Sequence, residues 1–497
     1  MSLKHRTAKG IGWTFASQVT RLVVTFTVTA ILAHLLSPRD FGLMAMVVVF
    51  MNVFLVMNDM GLPAALIQKK EITEEHISSA FWLNLAEGLV LTGILALLSP
   101  VIAGFYGRSA LTAIVLVLST TLFISSFGMI QLALFSKDLD FKLPAVAEII
   151  SVVLSGGVAV AMAYGGSGVW SLVGQAVSYS VLLAALLWFM SGWKPKFIFR
   201  WSAAWELLSF GLHLMGFGLV NYFNRNLDNL LIGKFEGAAT LGFYNLAYRL
   251  LLFPLQSIST VIGRVMFPAL STIQDNKEKV RQGYISANRY IATITFPLMT
   301  GLAILAPQFV RVFFGIKWDR SIFLIQVLAF AGLFQSVETT VGWLFQSQGR
   351  TDILLKWGIF SAVVCAGAFG IGLLWSAEGV AVAYLIAELL LLWPTLWLAF
   401  RLIDLKVFRF MRSLFTIALA TAGMAVVTLG VRLALEKLVK AGDLVTLLIS
   451  AAVGGVTFVL LLLALDRPLV RELAAIPRLV ASRAEVPPSE PLVEEEV

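Results

Sequence analysis

Residues 221–263 read NYFNRNLDNLLIGKFEGAATLGFYNLAYRLLLFPLQSISTVIG, two apolar stretches joined by a short turn rich in Gly and Ala. Each stretch carries one arginine, Arg225 and Arg249, at a position that hydrocarbon would surround in a membrane-spanning helix. A charge at the centre of such a helix costs about 2.5–3.5 kcal/mol on insertion scales, so it usually faces a cavity or a partner. The stretch therefore predicts two spanning helices that place arginines in a wet, cationic cavity.

Polar residues accompany both arginines at helical spacing, three, four or seven positions away. They are Asn221 and Asp228 beside Arg225, and Asn245 and Gln256 beside Arg249. These offsets put each set on one face of its helix. We interpret the two faces as parts of a cavity lining that binds an anionic head group, with an internal Arg225–Asp228 ion pair as the alternative for the first set.

The first apolar stretch repeats this pattern, because Gln18, Arg21 and Thr25 follow one another at helical spacing. Arginine suits phosphate, since its planar fork donates two parallel hydrogen bonds and stays charged at any cellular pH. Arg21 is therefore a third candidate for the cavity, unless it lies near the membrane surface and extends towards water. Arg264 and Arg289 are secondary candidates, for which anchoring at the inner membrane surface is the alternative.

The whole chain is strongly apolar: 59% of its 497 residues are hydrophobic, 13% are charged, and the mean hydropathy is +0.88. Apolar runs of about 20 residues between short polar loops are typical of helical membrane proteins with many spans. The net charge of +8 does not indicate a nucleic acid partner, because the basic residues lie in the short loops between spans.

This pattern predicts an all-α polytopic membrane protein with about 14 transmembrane helices. The predicted spans are residues 10–36, 41–64, 79–104, 110–135, 144–164, 169–191, 205–233, 240–266, 285–314, 320–347, 353–375, 379–400, 411–434 and 443–465. They group into a cytoplasmic N-terminus (1–9), a first six-helix lobe (10–191), a second six-helix lobe (205–400), two further helices (411–465) and a charged cytoplasmic tail predicted to be disordered (466–497).

Charge placement and an internal repeat predict the orientation. Segments assigned to the cytoplasm hold 23 Lys and Arg residues and the outer loops hold eight, which predicts that both termini are cytoplasmic. SPRDFGLMAM (37–46) follows the first span and GAATLGFYNLA (237–247) follows the seventh, and the two stretches align Gly42 with Gly242. Two lobes of the same orientation, related by an axis along the membrane normal, are the arrangement that such a repeat predicts.

Three carboxylates inside predicted spans, Glu148, Glu338 and Glu388, are candidates for carrying a coupling ion, with an ion pair to an arginine as the alternative. No metal site is predicted, because the four histidines have no His or Cys at ligand spacing. No catalytic residue or cofactor is predicted either, since the chain has no phosphate-binding loop or nucleophile motif.

Several stretches resemble the Wzx-type polysaccharide transporters, in particular the exporters of colanic acid, teichuronic acid and succinoglycan. They are MSLKHRTAKGIGWTFASQ (1–18), LSPRDFGLMAM (36–46), GLPAALIQKKEITEEHISSAFWLNL (61–85), NRNLDNLLIGKFEGAATLGFYNLAYRLLLFPLQ (224–256) and RVMFPALSTIQD (264–275). That family belongs to the superfamily that also contains the MATE drug exporters and the lipid II flippase MurJ. The resemblance extends through all the predicted spans.

The resemblance implies a flippase of the bacterial inner membrane that moves an undecaprenyl-pyrophosphate-linked oligosaccharide for exopolysaccharide, capsule or O-antigen export. It also implies two six-helix lobes, alternating access, and a polysaccharide polymerase and export machinery as partners besides membrane lipids. Arg21, Arg225 and Arg249 would contact the pyrophosphate or anionic sugars. A MATE-like cation-coupled drug antiporter and a lipid II flippase are the alternatives. A membrane-embedded glycosyltransferase is disfavoured, because the outer loops are short.

Overall fold

The computed structural model describes residues 3–59, 61–69, 72–138, 140–473 and 475. Side chains are described for these residues except at 3–16, 59, 64, 68, 209–221, 223–225, 253–261 and 264–265. All regular secondary structure in the described part of the chain is helical.

Sixteen α-helices follow one another in the described residues between 3 and 465. The first seven are α1 (Leu3–Leu35), α2 (Pro38–Asp59), α3 (Leu62–Gln68), α4 (Glu74–Tyr106), α5 (Ala110–Lys137), α6 (Lys142–Tyr164) and α7 (Val169–Met190). The others are α8 (Trp201–Phe235), α9 (Ala238–Thr272), α10 (Lys277–Phe313), α11 (Arg320–Glu338), α12 (Val341–Ser347), α13 (Thr351–Gly372), α14 (Ser376–Phe400), α15 (Val407–Ala434) and α16 (Asp443–Leu465).

The apolar runs of the sequence lie largely within these helices, which extend beyond the predicted spans by up to eight residues, as at the start of α10. Eleven helical segments of the described chain are long and apolar enough to cross a membrane, and one of them, Thr351–Ile403, contains both α13 and α14. α8 and α9 are not among the eleven, yet 35 residues at about 1.5 Å each exceed a hydrocarbon core of about 30 Å. The chain is therefore a multi-pass membrane protein.

Three details differ from the predicted segments. The predicted span 41–64 contains most of α2 and the start of α3, which begins after Gly61 in the left-handed conformation. The predicted span 320–347 is broken into α11 and the short α12, with Thr339 and Thr340 between them. At the other end, residues 467–473 of the predicted disordered tail are helical, and Leu469 is fully buried. The start of the tail therefore belongs to the folded protein.

Helix packing divides the bundle into two groups. In the first, α4 packs on α5, α6 on α7, and α1 on α6; in the second, α10 packs on α11, α11 on α14, and α13 on α14. α15 and α16 pack against each other and against α10. Contact between the groups is made mainly by α2, which lies against α8 and α9, and also by α3 and α4, which pack on α8. The α2–α9 contact lies at one end of the space between the two groups.

The contact of α2 with α9 depends on two glycines. A Cβ added at Gly42 would lie 1.6 Å from the carbonyl oxygen of Ala238, and one at Gly242 would lie 2.0 Å from that of Pro38. Neither position can hold a larger residue unless the backbone moves. Small residues let helices approach closely in a membrane, where burial of apolar surface gives no drive for association. The two glycines that the sequence repeat aligns therefore meet in one helix crossing.

Neighbouring loops extend this contact. Trp318 is fully buried, its Nε1 donates a hydrogen bond to the carbonyl oxygen of Ala33 at 3.0 Å, and its ring packs edge-on against Phe41. Lys317 Nζ donates to the carbonyl oxygen of His34 at 2.8 Å. We call residues 33–42, 238–242 and 317–318 the roof, because they close one end of the space between the two groups.

Candidate functional site

A cavity of about 330 Å³ lies beneath the roof, between α1, α2, α6, α7 and α9. Its volume is within the range of small-molecule sites, about 300–1,000 Å³. The polar residues that line it are Arg21, Thr25, Thr29, Ser155, Gln175, Tyr179, Asn245 and Arg249. The cavity thus combines two guanidinium groups with hydroxyl and amide groups.

Helical spacing explains how these side chains reach the cavity. Arg21, Thr25 and Thr29 are four residues apart along α1 and share one face. Gln175 and Tyr179 on α7, and Asn245 and Arg249 on α9, are also pairs four residues apart. Apolar residues of α2, including Phe41 and Met44, form the remaining wall. Each polar set is thus one stripe on an otherwise apolar helix.

Both arginines lie well inside their helices. Arg21 is 14 residues before the end of α1 at the roof, and Arg249 is 11 residues after the start of α9. At about 1.5 Å per residue they lie roughly 21 and 17 Å from those helix ends, about two thirds and just over half of a hydrocarbon thickness of about 30 Å. The cavity therefore places two positive charges inside the helical bundle, away from the roof.

Arg21 has acceptors within the protein. Its Nη2 donates a hydrogen bond to Gln18 Oε1 at 2.9 Å, and its Nη1 lies 3.4 Å from Glu148 Oε1 on α6. The side chains of Arg21 and Glu148 are 42% and 24% exposed, so the pair remains open to the cavity.

Arg249 is exposed, and none of the described residues accepts a hydrogen bond from it or forms an ion pair with it. Asn245, one turn before it, also lines the cavity. An uncompensated guanidinium in such a place is able to receive an anion, because charge-assisted hydrogen bonds to phosphate or carboxylate are short and strong.

Asp228 does not line this cavity. Its carboxylate is 2% exposed and accepts hydrogen bonds from the Tyr244 hydroxyl at 2.9 Å and from the Asn229 backbone N–H at 2.7 Å. Tyr244 in turn stacks on Tyr248, which precedes Arg249. The carboxylate thus joins α8 to α9 behind the cavity wall.

The other sequence candidates lie elsewhere. The side chains of Arg225, Asn221, Gln256 and Arg264 lie outside those that the structure describes. Arg289 pairs with Asp466, which also accepts a hydrogen bond from the Thr416 hydroxyl at 2.9 Å. Arg289 therefore joins α10 to the helical start of the tail and is not in the cavity lining.

Glu338 and Glu388 form a second polar site, between α11 and α14. Glu388 is 7% exposed and accepts a hydrogen bond from Gln335 Nε2 at 3.4 Å, while Glu338 accepts one from the Thr395 hydroxyl at 3.1 Å. Each carboxyl group thus accepts its hydrogen bond from the other helix, Glu388 of α14 from α11 and Glu338 of α11 from α14.

Four polar lining residues, Thr29, Ser155, Gln175 and Tyr179, were not among the sequence candidates. Each belongs to a polar stripe with a spacing of four residues in an apolar helix, the same signal that identified Arg21. Those of α6 and α7 were missed because neither helix carries an arginine that would mark its polar face.

Comparison with known proteins finds relatives in polysaccharide biosynthesis. The model of the family described as "Polysaccharide biosynthesis protein" matches residues 31–323. The teichuronic acid biosynthesis protein TuaB of Bacillus subtilis is 29% identical over 473 residues, which are 93% of this chain and 96% of that protein. The succinoglycan biosynthesis transport protein ExoT of Rhizobium meliloti is 25% identical over 480 residues, 96% of each chain.

Solved structures show the fold. The lipid II flippase MurJ in an inward closed conformation matches with a TM-score of 0.74 at 15% identity, over 93% of this chain and 100% of that chain. An inward-facing MATE family multidrug transporter of the MOP superfamily matches with a TM-score of 0.56 at 14% identity, over 77% and 94% of the two chains. The MurJ- and MATE-like helical fold expected from the sequence resemblance is confirmed, whereas the fourteen spans and the two six-helix lobes stay predictions. At this identity the match concerns the fold alone.

Proposed function

The chain belongs to the polysaccharide biosynthesis protein family, and from this premise we propose that it is a flippase for a lipid-linked oligosaccharide in the inner membrane of a bacterium. Its cargo is an oligosaccharide repeat unit joined to undecaprenyl pyrophosphate, destined for an exported polysaccharide. The observation that carries the proposal is the convergence of Arg21 and Arg249, from α1 and α9, on one cavity inside the helical bundle.

The physical task explains why such a cavity is needed. A pyrophosphate–sugar head group loses its hydration on entering hydrocarbon about 30 Å thick, at a large cost in free energy. Guanidinium, amide and hydroxyl groups replace that hydration in the cavity, while the lipid tail stays in the bilayer through a lateral gap. Two arginines match the two phosphates of the carrier, since each guanidinium donates a pair of parallel hydrogen bonds.

Because the roof closes one end of the cavity, we propose that the transporter works by alternating access. We take the two helix groups as two six-helix lobes within a protein of fourteen spans, with both termini in the cytoplasm and the roof on the outer side. The cavity then receives the head group from the cytoplasm, and separation of α2 from α9 opens it outwards. Polymerase and export machinery outside the chain would use the delivered repeat unit.

The main alternative on the same fold is a cation-coupled drug antiporter. Such a protein needs an acidic, aromatic cavity for a cation. None of the described residues that line this cavity is acidic, and two are arginines. A lipid II flippase would use the same chemistry for the pyrophosphate and differ in the sugar. Transport of lipid II by the purified protein would favour that alternative.

We assign ion coupling to the Glu338–Glu388 pair. The support is that each of the two carboxyl groups accepts a hydrogen bond from the other helix, α11 or α14, in the second group. A proton or a monovalent cation taken up there would change the packing of these two helices. Replacing both residues by Gln should make export insensitive to the ion gradient, as measured in proteoliposomes with an imposed gradient.

The direct test of transport is Arg249→Ala in cells whose own copy has been deleted. Loss of one charge-assisted contact, about 1.5–3 kcal/mol, should weaken head-group binding by about 10- to 100-fold. Export should fall and the lipid-linked intermediate should accumulate at unchanged protein level. The matched control is Arg311→Ala, because Arg311 pairs with Asp319 at 3.0 Å outside the cavity lining. Normal export by Arg249→Ala would reject the proposal.

A further inference from the structure

The two cavity arginines are not equivalent. The Arg21 head group has two acceptors, Gln18 and Glu148, whereas Arg249 has none among the described residues. We infer that Glu148 is a displaceable counter-ion: it holds Arg21 in the empty transporter, and an anionic group of the cargo takes its place. This inference rests on the proposed function, because it assigns a role to a carboxylate at the proposed pyrophosphate site.

The position of Glu148 fits this role. Val152 and Ser155, four and seven residues further along α6, line the cavity, so Glu148 lies on the same helix face. It is one turn further from the roof than Val152. A head group that enters opposite the roof therefore meets Glu148 before it reaches Thr25 and Thr29.

The weakness of the pair makes displacement easy. A single oxygen approaches Arg21 at 3.4 Å, and both side chains are partly exposed. Pairs of this kind contribute little, since water competes for both partners. A phosphate offers several oxygens and accepts two parallel hydrogen bonds from one guanidinium, so it outcompetes a lone carboxylate. Tyr179 of α7 lines the same cavity as Arg21.

The same exchange assists release. A flippase must let its cargo go on the far side, and two uncompensated arginines would retain a pyrophosphate. When Glu148 returns to Arg21 the vacated charge is neutralised from within, so the carboxylate lowers affinity and raises the rate of release. Glu148 is in this sense a positioning residue that acts through Arg21.

The experiment measures binding of farnesyl diphosphate to the purified full-length protein in detergent. Glu148→Gln keeps the shape of the side chain and removes its charge, so binding should become about two- to fivefold tighter. Glu148→Asp should restore an affinity close to that of the wild type. In transport assays with the same variants, Glu148→Gln should lower KM and also lower the maximal rate, which a purely structural role would not do.

Two further variants make the test specific. In an Arg21→Ala background, Glu148→Gln should have no effect, because the carboxylate acts through that arginine. Glu378→Gln is the matched control: Glu378 pairs with Arg320 at 3.6 Å and is not in the cavity lining, and its loss should leave binding unchanged. Weaker or unchanged binding by folded Glu148→Gln, or an effect that persists without Arg21, would overturn the inference alone. Failure of the wild type to bind farnesyl diphosphate would overturn the proposed function with it.

Discussion

Two polar regions inside this helical bundle differ in how their charges are satisfied. In the cavity, Arg249 is exposed and without a partner among the described residues, and Arg21 is 42% exposed. Behind the cavity wall, Asp228 is buried and accepts hydrogen bonds from two neighbouring residues. Both regions have the same signature in the sequence, a charged residue in an apolar helix.

The difference teaches which charges are available to a ligand. A buried charge persists only when its hydrogen bonds are met by the protein, and it then contributes to packing. A charge in an open cavity keeps its binding capacity because water alone satisfies it. Exposure and partners, rather than the presence of a charge, therefore separate the candidate site from the structural polar groups.

The largest effect is expected from removing both cavity arginines. Arg21→Ala combined with Arg249→Ala should reduce export at least 100-fold, since two charge-assisted contacts of about 1.5–3 kcal/mol each are lost. Polymer at the cell surface and lipid-linked intermediate in the membrane are the measurements. The matched control removes two paired arginines outside the cavity lining, Arg311 and Arg320. If export falls equally in the control, arginines inside and outside the cavity lining do not differ in function.

The roof offers the next largest effect. Gly42→Val places a side chain against the Ala238 carbonyl oxygen, so α2 and α9 cannot approach and the cavity should stay open at the roof. Transport should fall by about tenfold, as expected for overpacking worth 1–3 kcal/mol. A cysteine at Thr29, in a Cys365→Ser background, should be labelled faster from outside. Gly104→Val is the control, because its added Cβ meets no atom within 4 Å; equal labelling in both variants would contradict the role of the roof.

A smaller effect, on stability rather than transport, is expected behind the cavity wall. Asp228→Ala leaves the buried Tyr244 hydroxyl without its acceptor and should cost about 1–3 kcal/mol. The unfolding midpoint in detergent should fall, while export per folded molecule stays within about twofold of wild type. Tyr244→Phe removes the same hydrogen bond, so the two changes should not be additive. Loss of export without loss of stability would show that Asp228 takes part in transport.

The smallest effect is expected from a surface pair. Arg350 and Asp352 pair at 3.0 Å with side chains about half exposed, and exposed pairs contribute about 0–1 kcal/mol. Arg350→Ala should leave both the unfolding midpoint and export within experimental error of wild type. A large loss in either measurement would show that exposure does not separate structural from functional charges in this protein.

The sequence predicted the helices well because hydropathy alone determines which segments enter a bilayer. It also placed Arg21, Asn245 and Arg249 on polar helix faces, and the structure brings those three residues to one cavity. Asp228 shows the limit of this reasoning. Its spacing from Arg225 puts both on one face of α8, but the partner that uses its carboxylate, Tyr244, comes from the next helix. Spacing along one helix does not reveal what the neighbouring helix presents.

Tertiary contacts explain the other differences. The repeat aligned Gly42 with Gly242, but their meeting in one helix crossing depends on how two distant segments pack. The helical start of the tail follows from Asp466, which pairs with Arg289 of α10. Both features depend on contacts between residues far apart in the chain. Such contacts cannot be predicted from patterns within one short segment of the sequence.

The most direct measurement is an electron cryo-microscopy structure of the full chain in lipid nanodiscs with undecaprenyl pyrophosphate. The account predicts density for the two phosphates in the cavity beneath the roof, within hydrogen-bonding distance of the Arg21 and Arg249 guanidinium groups. Phosphate density elsewhere in the protein, with both guanidinium groups unengaged, would contradict it.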